Sequence, residues 1–246
     1  MILLFATYSR RLPILNLSLW ITFLLPWELL AKQYSFKSSD GLVSEYTVLT
    51  HHKKATDLLV FFHGSGGAAG YAQPMKNLKT IADDYGFHIM SIKAPTGNNW
   101  PNPDFAKDNG HITYAHEAVQ QQVKALGIKK VVFLGWSAGS TFLVGDFIPV
   151  VGSYYQGGAI MLCGGGRPYF DQFYRLSLIR KNMRLYFRVG SKDFLYDQVR
   201  EVIAHYQKAQ IKLSYMITKE KHCGFSLGAA TREGLQALDF HPIKRY

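Results

Sequence analysis

Short apolar runs alternate with segments of helical periodicity over most of the chain. A continuous apolar run of about four to eight residues is typical of a strand buried on both faces of a parallel sheet, whereas apolar residues three or four positions apart are typical of a helix. The runs that predict strands are 42–50, 57–62, 88–92, 130–134, 159–162, 185–189 and 213–218. The segments that predict helices are 71–85, 112–126, 138–151, 196–209 and 225–238. This alternation predicts an α/β fold with right-handed crossovers, a mostly parallel twisted sheet and helices on both faces, with the first strand at an edge.

Residues 1–31 differ in composition from the rest of the chain. Two arginines, Arg10 and Arg11, precede an apolar stretch that ends at the small residue Ala31, and this order is typical of a secretory signal. The stretch contains two prolines and a glutamate, which argue against a membrane-spanning helix of about 20 apolar residues. A retained anchor and a translation start near the arginine pair are the alternatives. We expect an exported protein, periplasmic or secreted, with residues 1–31 as signal peptide or N-terminal membrane anchor and residues 32–246 as one domain.

The chain is strongly basic, with a formal net charge of +11 and an isoelectric point near 9.5. Such a charge attracts a protein to acidic surfaces, including nucleic acid and phospholipid. The basic residues form no long run, however, and the longest clusters are pairs such as Lys53-Lys54 and Lys129-Lys130. A scattered excess of this kind is interpreted as solubilising surface charge. We expect no nucleic-acid partner, membrane association only through the N-terminal segment, and a monomer.

The motif Gly135-Trp136-Ser137-Ala138-Gly139 lies between a predicted strand and a predicted helix. In this context a serine occupies a strained turn, and the flanking glycines leave room for a close backbone approach. The helix that follows directs free N–H groups and partial positive charge towards an oxyanion that develops beside the serine. The motif in this position predicts that Ser137 is a nucleophile.

With this motif the chain resembles the α/β-hydrolase family, and the resemblance runs from about Leu42 to the C-terminus. In that family the nucleophilic serine, an acid and a histidine occur in this order along the chain. Here Ser137 is followed by Asp193 and then His222, each directly beyond a separate late strand. The carboxyl ends of parallel strands meet at one edge of a sheet. The resemblance therefore implies that these three side chains converge.

The resemblance also assigns a role to each of the three residues. His222 would take the proton of the serine hydroxyl and return it to the leaving group, and Asp193 would fix the imidazole tautomer. The alternative for His222 is a surface histidine on a loop. For the acid, Asp197 lies nearby and Asp171 follows an earlier strand, where some family members place their acid. Asp171 is therefore the second candidate.

The implied fold is an α/β-hydrolase catalytic domain over residues 32–246, without a large lid domain. The implied activity is hydrolysis of a small-molecule or polymeric carboxylic ester through an acyl-serine intermediate, with no cofactor and no metal. A thioesterase, a peptidase or an acyltransferase can use the same residues, because the pocket loops determine leaving group and acceptor. A binding protein that has kept the fold and lost activity is the alternative from another class.

An oxyanion hole needs two preorganised N–H donors. The first would be the N–H of Ala138. The loop at 63–67, His-Gly-Ser-Gly-Gly, is similar to the family's His-Gly segment, which implies a second donor from Ser65 or Gly66. A phosphate-binding loop is the competing interpretation, but the loop lacks the Lys-Ser/Thr ending of a P-loop and the spacing of a dinucleotide fingerprint.

Three aromatic residues are candidates for the walls of a substrate pocket. Trp100 and Phe105 belong to the segment 95–110, which is rich in proline, asparagine and glycine and is expected to be a loop. They either anchor that loop or contact substrate. Trp136 lies beside the predicted nucleophile and is equally well explained as buried packing.

The chain has two cysteines, Cys163 and Cys223. In an exported protein they can form one disulfide; otherwise they are two small buried apolar residues. Neither has metal-ligand spacing. In esterases of the feruloyl esterase and tannase type, a cysteine next to the serine is bridged to a cysteine next to the histidine. The pair His222-Cys223 resembles the histidine end of that pattern, although a tryptophan rather than a cysteine precedes Ser137. Size and the predicted signal also resemble small exported esterases related to polyhydroxybutyrate depolymerases.

Overall fold

The described strands form one eight-stranded sheet in the order β1-β2-β4-β3-β5-β6-β7-β8. The computed structural model describes residues 31–51, 55–66, 74–100, 110–166, 179 and 182–243. The strands are β1 Ala31–Lys37, β2 Val43–Leu49, β3 Asp57–Phe62, β4 Phe87–Ile92, β5 Lys130–Trp136, β6 Gly157–Leu162, β7 Met183–Lys192 and β8 Leu213–Lys221. Strands β3 to β8 pair in parallel, whereas β2 is antiparallel to both β1 and β4. The predicted mostly parallel sheet is confirmed.

Four of the five described helices connect strands of the sheet, and the fifth follows the last strand. They are α1 Pro74–Tyr85, α2 Gly110–Leu126, α3 at 138–151, α4 Tyr196–Lys208 and α5 Leu227–Ala237. Helix α3 consists of Ala138–Phe142, a π-helical turn at Leu143–Phe147 and Ile148–Val151, and a short 3-10 turn follows at Gly152–Tyr154. The widened turn precedes Pro149, which has no N–H to donate to the carbonyl oxygen four residues earlier.

The prediction that residues 42–50 form an edge strand is wrong. Strand β2 lies inside the sheet, because β1 pairs along its outer side from Ala31 opposite Leu49 to Lys37 opposite Val43. The segment that forms β1 alternates polar and aromatic residues, and its Tyr34 ring stacks on the ring of Tyr46 at 5.1 Å. This alternation is the pattern of a half-buried strand.

The core consists of two apolar layers, one on each face of the sheet. Strand β3 contributes to both layers: Leu58, Val60 and Phe62 belong to one layer, and Leu59 and Phe61 belong to the other. Successive side chains of a strand point to opposite faces, so a strand covered on both sides has no polar face. Continuous apolar runs therefore identified the buried strands correctly.

The carboxyl ends of the parallel strands bring distant parts of the chain to one edge of the sheet. Strand β3 leads into His63, β5 into Ser137, β6 into Cys163, β7 into Asp193 and β8 into His222. In open α/β sheets this edge is where ligands bind. The sheet therefore collects the candidate residues in one place.

Of the expected N-terminal segment, only Ala31 belongs to the described residues. Within the described part of the chain, no helix is long and apolar enough to cross a membrane. Among the same residues, no cluster of histidine, cysteine and acidic side chains is arranged to hold a metal ion.

Candidate active site

Ser137 lies on a sharp turn between β5 and α3, with φ 51° and ψ −116°. A positive φ is strained for a residue with a side chain. The flanking glycines make the turn possible: a Cβ on Gly135 would lie 2.5 Å from Cα of Ser140, and one on Gly139 would lie 2.1 Å from the carbonyl oxygen of Phe62. The strained strand-to-helix turn that the motif predicts is therefore present.

A third glycine, Gly164, supports the same turn from the end of β6. A Cβ on Gly164 would lie 2.1 Å from the carbonyl oxygen of Ser137, so no other residue fits there without displacing the turn. The Ser137 N–H also donates to the carbonyl oxygen of Leu162, at 2.9 Å. Sequence reasoning missed this glycine; the run of three glycines at 164–166, one residue beyond a predicted strand, was the available signal.

The structure brings Ser137, His222 and Asp193 together. Oγ of Ser137 lies 3.0 Å from Nε2 of His222, and Nδ1 of the same ring lies 2.8 Å from Oδ1 of Asp193. Because a carboxylate only accepts, Nδ1 carries the hydrogen and Nε2 is left with a lone pair towards the serine hydroxyl. The three side chains therefore lie within hydrogen-bond distance of one another in the order Ser137, His222, Asp193.

Burial and a second hydrogen bond position Asp193. Its side chain is fully buried, and Oδ1 also accepts the N–H of Leu195 at 2.9 Å. Its Oδ2 is buried without a hydrogen-bond partner among the described residues. Asp197 is instead an exposed residue in the first turn of α4, where its charge favours the helix N-terminus. The second candidate acid, Asp171, lies outside the described residues.

The loop after β3 is fixed by a buried histidine. Nε2 of His63 accepts the N–H of Ala94 at 3.0 Å, so Nδ1 is the protonated nitrogen and donates to the carbonyl oxygen of Gly64 at 2.7 Å. Burial lowers the pKa of His63 below its usual value, which keeps the ring neutral. His63 therefore holds the loop in place, a role that sequence reasoning did not assign.

Two of the three predicted oxyanion donors, Ala138 and Ser65, lie beside Ser137. Ala138 is the first residue of α3, and both it and Ser65 line the same cavity as the serine. The N–H of Gly66, however, donates to the carbonyl oxygen of Asn98 at 3.2 Å. Of the two alternatives for the second donor, Ser65 is therefore the one whose N–H has no backbone partner among the described residues.

A cavity of about 210 Å³ opens beside Ser137. Apolar and polar side chains line it together: Ser65, Asn99, Trp100, Ser137, Ala138, Thr141, Phe194, Leu195 and Gln198. Trp100 lines the cavity and also stacks on Phe142 at 4.6 Å. Trp136 is not among these lining residues and packs on the ring of Phe225 at 5.5 Å. Phe105 lies outside the described residues.

Phe194 is a cavity residue that sequence reasoning missed. Its ring centroid lies 4.3 Å from that of His222, and the residue is 78% exposed. A large exposed aromatic ring at the edge of a cavity offers apolar surface to a ligand. Its position directly after Asp193 was the only signal in the sequence.

Cys163 and Cys223 form a disulfide, with their Cα atoms 5.1 Å apart. The bridge joins the end of β6 to the loop after β8, next to His222, and Sγ of Cys223 lies 3.5 Å from Nε2 of that ring. The loop that carries the histidine is thus tied to the strand end that supports the Ser137 turn through Gly164. The bridge does not start beside the serine, as it does in the feruloyl esterase and tannase pattern.

Removing this disulfide with the double variant Cys163→Ala/Cys223→Ala is expected to lower the free energy of unfolding by about 2–4 kcal/mol. The bridge joins residues 60 positions apart, so its loss frees a long loop in the unfolded chain. Chemical denaturation monitored by circular dichroism measures the loss, and reduction of the wild type should shift its midpoint in the same direction. Equal midpoints for all three samples would contradict this expectation.

No protein-family model matches the chain, and no curated protein matches its sequence significantly. Solved structures are similar to it, however. The S-formylglutathione hydrolase of Staphylococcus aureus superposes with a TM-score of 0.62 over 83% of this chain and 94% of its own, at 13% identity. A carboxylesterase from Mesorhizobium loti reaches 0.62 over 80% and 96%, at 16% identity. An esterase from Pyrobaculum calidifontis reaches 0.60 over 85% and 82%, at 14% identity.

At sequence identities this low, structural similarity establishes the fold and not the activity. The similarity covers most of both chains in each comparison, and the sheet order and the strained turn after β5 agree with it. The fold that the sequence resembled is confirmed: the chain has the α/β-hydrolase fold.

Proposed function

We propose that the protein is a serine hydrolase that cleaves a carboxylic ester through an acyl-serine intermediate. The observation that carries the proposal is the continuous set of contacts from Ser137 through His222 to Asp193, at 3.0 and 2.8 Å. A serine hydroxyl becomes an effective nucleophile when a neighbouring imidazole accepts its proton. These contacts give His222 the tautomer that this step requires.

The proposed reaction begins when Oγ of Ser137 attacks the ester carbonyl carbon and its proton passes to Nε2 of His222. The buried carboxylate of Asp193 stabilises the imidazolium. The carbonyl oxygen becomes an oxyanion that accepts from the N–H of Ala138 and, in this proposal, from that of Ser65. The imidazolium then donates its proton to the alkoxide as the C–O bond breaks, and an alcohol leaves.

The acyl group, now an ester of Ser137, is released by the reverse sequence. A water molecule gives its proton to His222 and attacks the acyl carbon, and the imidazolium returns the proton to Oγ as the acid leaves. Every proton is transferred between protein, substrate and water. The proposed cycle thus uses no metal and no organic cofactor.

The similar structures are named as esterases and an S-formylglutathione hydrolase. These names favour ester hydrolysis over the alternative of an inactive binding protein. The cavity agrees, since it is lined both by apolar side chains such as Trp100 and Phe194 and by polar ones such as Asn99 and Gln198. An apolar wall with a few polar groups suits the acyl and alcohol parts of an ester.

A panel of p-nitrophenyl esters of graded acyl length, together with an aryl cinnamate, tests the proposal and identifies the acyl preference. We expect the wild type to release p-nitrophenol from at least one ester well above background, and Ser137→Ala to release none above background. An inactive binding protein would give background rates with every ester for both proteins, and that result would overturn the proposed activity.

Export remains part of the proposal, and the disulfide supports it because oxidising compartments permit such bonds. The N-terminal segment would direct the protein out of the cytoplasm and then be removed or retained as an anchor. Cell fractionation with N-terminal sequencing of the mature protein decides between these outcomes. A protein that stays in the cytoplasm with an intact N-terminus would contradict export.

A further inference from the structure

Phe194 is the most exposed large apolar side chain among the described residues, at 78%. Single exposed apolar residues are ordinary on protein surfaces, so exposure by itself indicates no function. The backbone around this residue is fixed, however. The N–H of Asp193 donates to the carbonyl oxygen of Gly190 at 3.1 Å, and the carbonyl oxygen of Asp193 accepts the N–H of Tyr196 at 3.0 Å. The turn therefore holds an exposed ring in a defined place, directly after the proposed acid.

The ring of Phe194 lies at both the cavity and the proposed base. It lines the cavity together with Ser137, and its centroid lies 4.3 Å from that of the His222 ring. The other aromatic residue of the lining, Trp100, is only 2% exposed because it packs on Phe142. Of the described lining residues, Phe194 therefore offers a ligand the largest exposed apolar surface.

The proposed reaction restricts where each part of an ester lies. In the tetrahedral intermediate the carbonyl carbon carries Oγ of Ser137, the oxyanion, the acyl chain and the alcohol oxygen. The oxyanion faces the N–H groups of Ala138 and Ser65, and the alcohol oxygen must lie about 2.6–3.2 Å from Nε2 of His222 to receive its proton. The group bonded to that oxygen therefore begins next to the His222 ring, where the Phe194 ring also lies.

We propose that Phe194 binds the alcohol part of the ester, and that this part contains one aromatic ring bonded to the ester oxygen directly or through one carbon. The inference rests on the proposed ester hydrolysis. Aromatic rings attract one another in offset or edge-to-face arrangements with centroids about 4.5–7 Å apart. An aryl or arylmethyl group is short enough for such a contact, because His222 brings the alcohol oxygen to the side of Phe194.

The extent of the exposed apolar surface limits the alcohol part to a single ring. No other large exposed apolar side chain among the described residues lines the cavity. The lining residues that follow Phe194 along the chain are the half-buried Leu195 and the polar Gln198. A long alkyl chain that passed beyond Phe194 would find no further exposed apolar side chain to cover it and would stay in water. A single ring matches the surface that Phe194 presents.

The ratio of kcat/KM for a benzyl ester to that for an ethyl ester tests the inference, with the acid that the p-nitrophenyl panel identifies. Both alcohols are weak acids whose departure needs the proton of His222, so a displaced His222 slows both esters and cancels in the ratio. We expect wild type to prefer the benzyl ester by about 10-fold and Phe194→Ala to lose this preference. Phe194→Tyr retains the ring and should retain the preference.

Two controls separate ring contact at this place from other effects. Tyr154 is 70% exposed and precedes β6, at the edge of the sheet opposite to Ser137, so Tyr154→Ala should have the ratio of wild type. A cyclohexylmethyl ester has the size of the benzyl ester without its aromatic ring, and we expect wild type to hydrolyse it less well than the benzyl ester.

Fluorophosphonate labelling of Ser137 distinguishes failure of this inference from failure of the proposed function, because the label loses fluoride and not an alcohol. A labelled, active protein with the same benzyl-to-ethyl ratio in wild type and Phe194→Ala would overturn the alcohol site alone. A cyclohexylmethyl ester hydrolysed as well as the benzyl ester would overturn the aromatic class. A wild type that takes up no label and hydrolyses no ester would overturn both proposals.

Discussion

Replacing Ser137 by alanine is expected to lower kcat for a hydrolysed p-nitrophenyl ester by about 10⁵- to 10⁶-fold, and His222→Ala is expected to do nearly the same. The alanine variant has no atom to attack the ester, and the histidine variant has no group to accept the hydroxyl proton at the 3.0 Å contact. Because the two residues act in one step, the double variant should lose little more than either single variant.

Steady-state kinetics of the three variants on one ester measure this non-additivity. The exposed His241 provides a matched control, because His241→Ala removes an imidazole that has no part in the proposed chemistry. Its kcat should stay close to that of wild type. If the losses of the two single variants instead multiplied in the double variant, Ser137 and His222 would act in separate steps and the proposed mechanism would be wrong.

Asp193→Asn is expected to lower kcat by about 10³- to 10⁴-fold with little effect on KM. The carboxylate accepts the hydrogen on Nδ1 of His222 at 2.8 Å. An amide can turn its NH₂ group towards Nδ1, and the ring hydrogen then moves to Nε2. In that tautomer His222 cannot accept the proton of Ser137, so the loss falls on turnover rather than binding.

Two further aspartates serve as comparisons for this variant. Asp197 is exposed in the first turn of α4, and Asp197→Asn should leave kcat within a few-fold of wild type. Asp171 is the alternative acid that the sequence left open. A larger loss for Asp171→Asn than for Asp193→Asn, measured on the same ester, would move the role of the acid to Asp171.

The elements that could be predicted from the sequence are those that local pattern determines. The predicted strand 57–62 coincides with β3, and the helical spacing within 71–85 predicted α1, whose buried residues include Met75, Leu78, Ile81 and Ala82. Ser137 was identifiable because its motif, its strand and its helix are contiguous in the chain. In each case the information lies within a few residues.

The resemblance implied the convergence of Ser137, Asp193 and His222, but other contacts between distant segments were not predicted. The edge strand β1 was missed because its alternation directly follows the segment assigned to export. The close approach of Gly164 to Ser137, the contact of Phe194 with His222 and the bond from Gly66 to Asn98 each join separate loops. A single sequence contains no record of such distances.

The central claim is that His222 activates Ser137 as a nucleophile, and labelling with a fluorophosphonate tests it most directly. Intact-mass spectrometry with peptide mapping should find one adduct per chain, on Ser137 in the wild type, with none in Ser137→Ala and a severely slowed rate in His222→Ala. A wild type that takes up no label, an adduct on another residue, or a His222→Ala variant that reacts as fast as wild type would contradict the account.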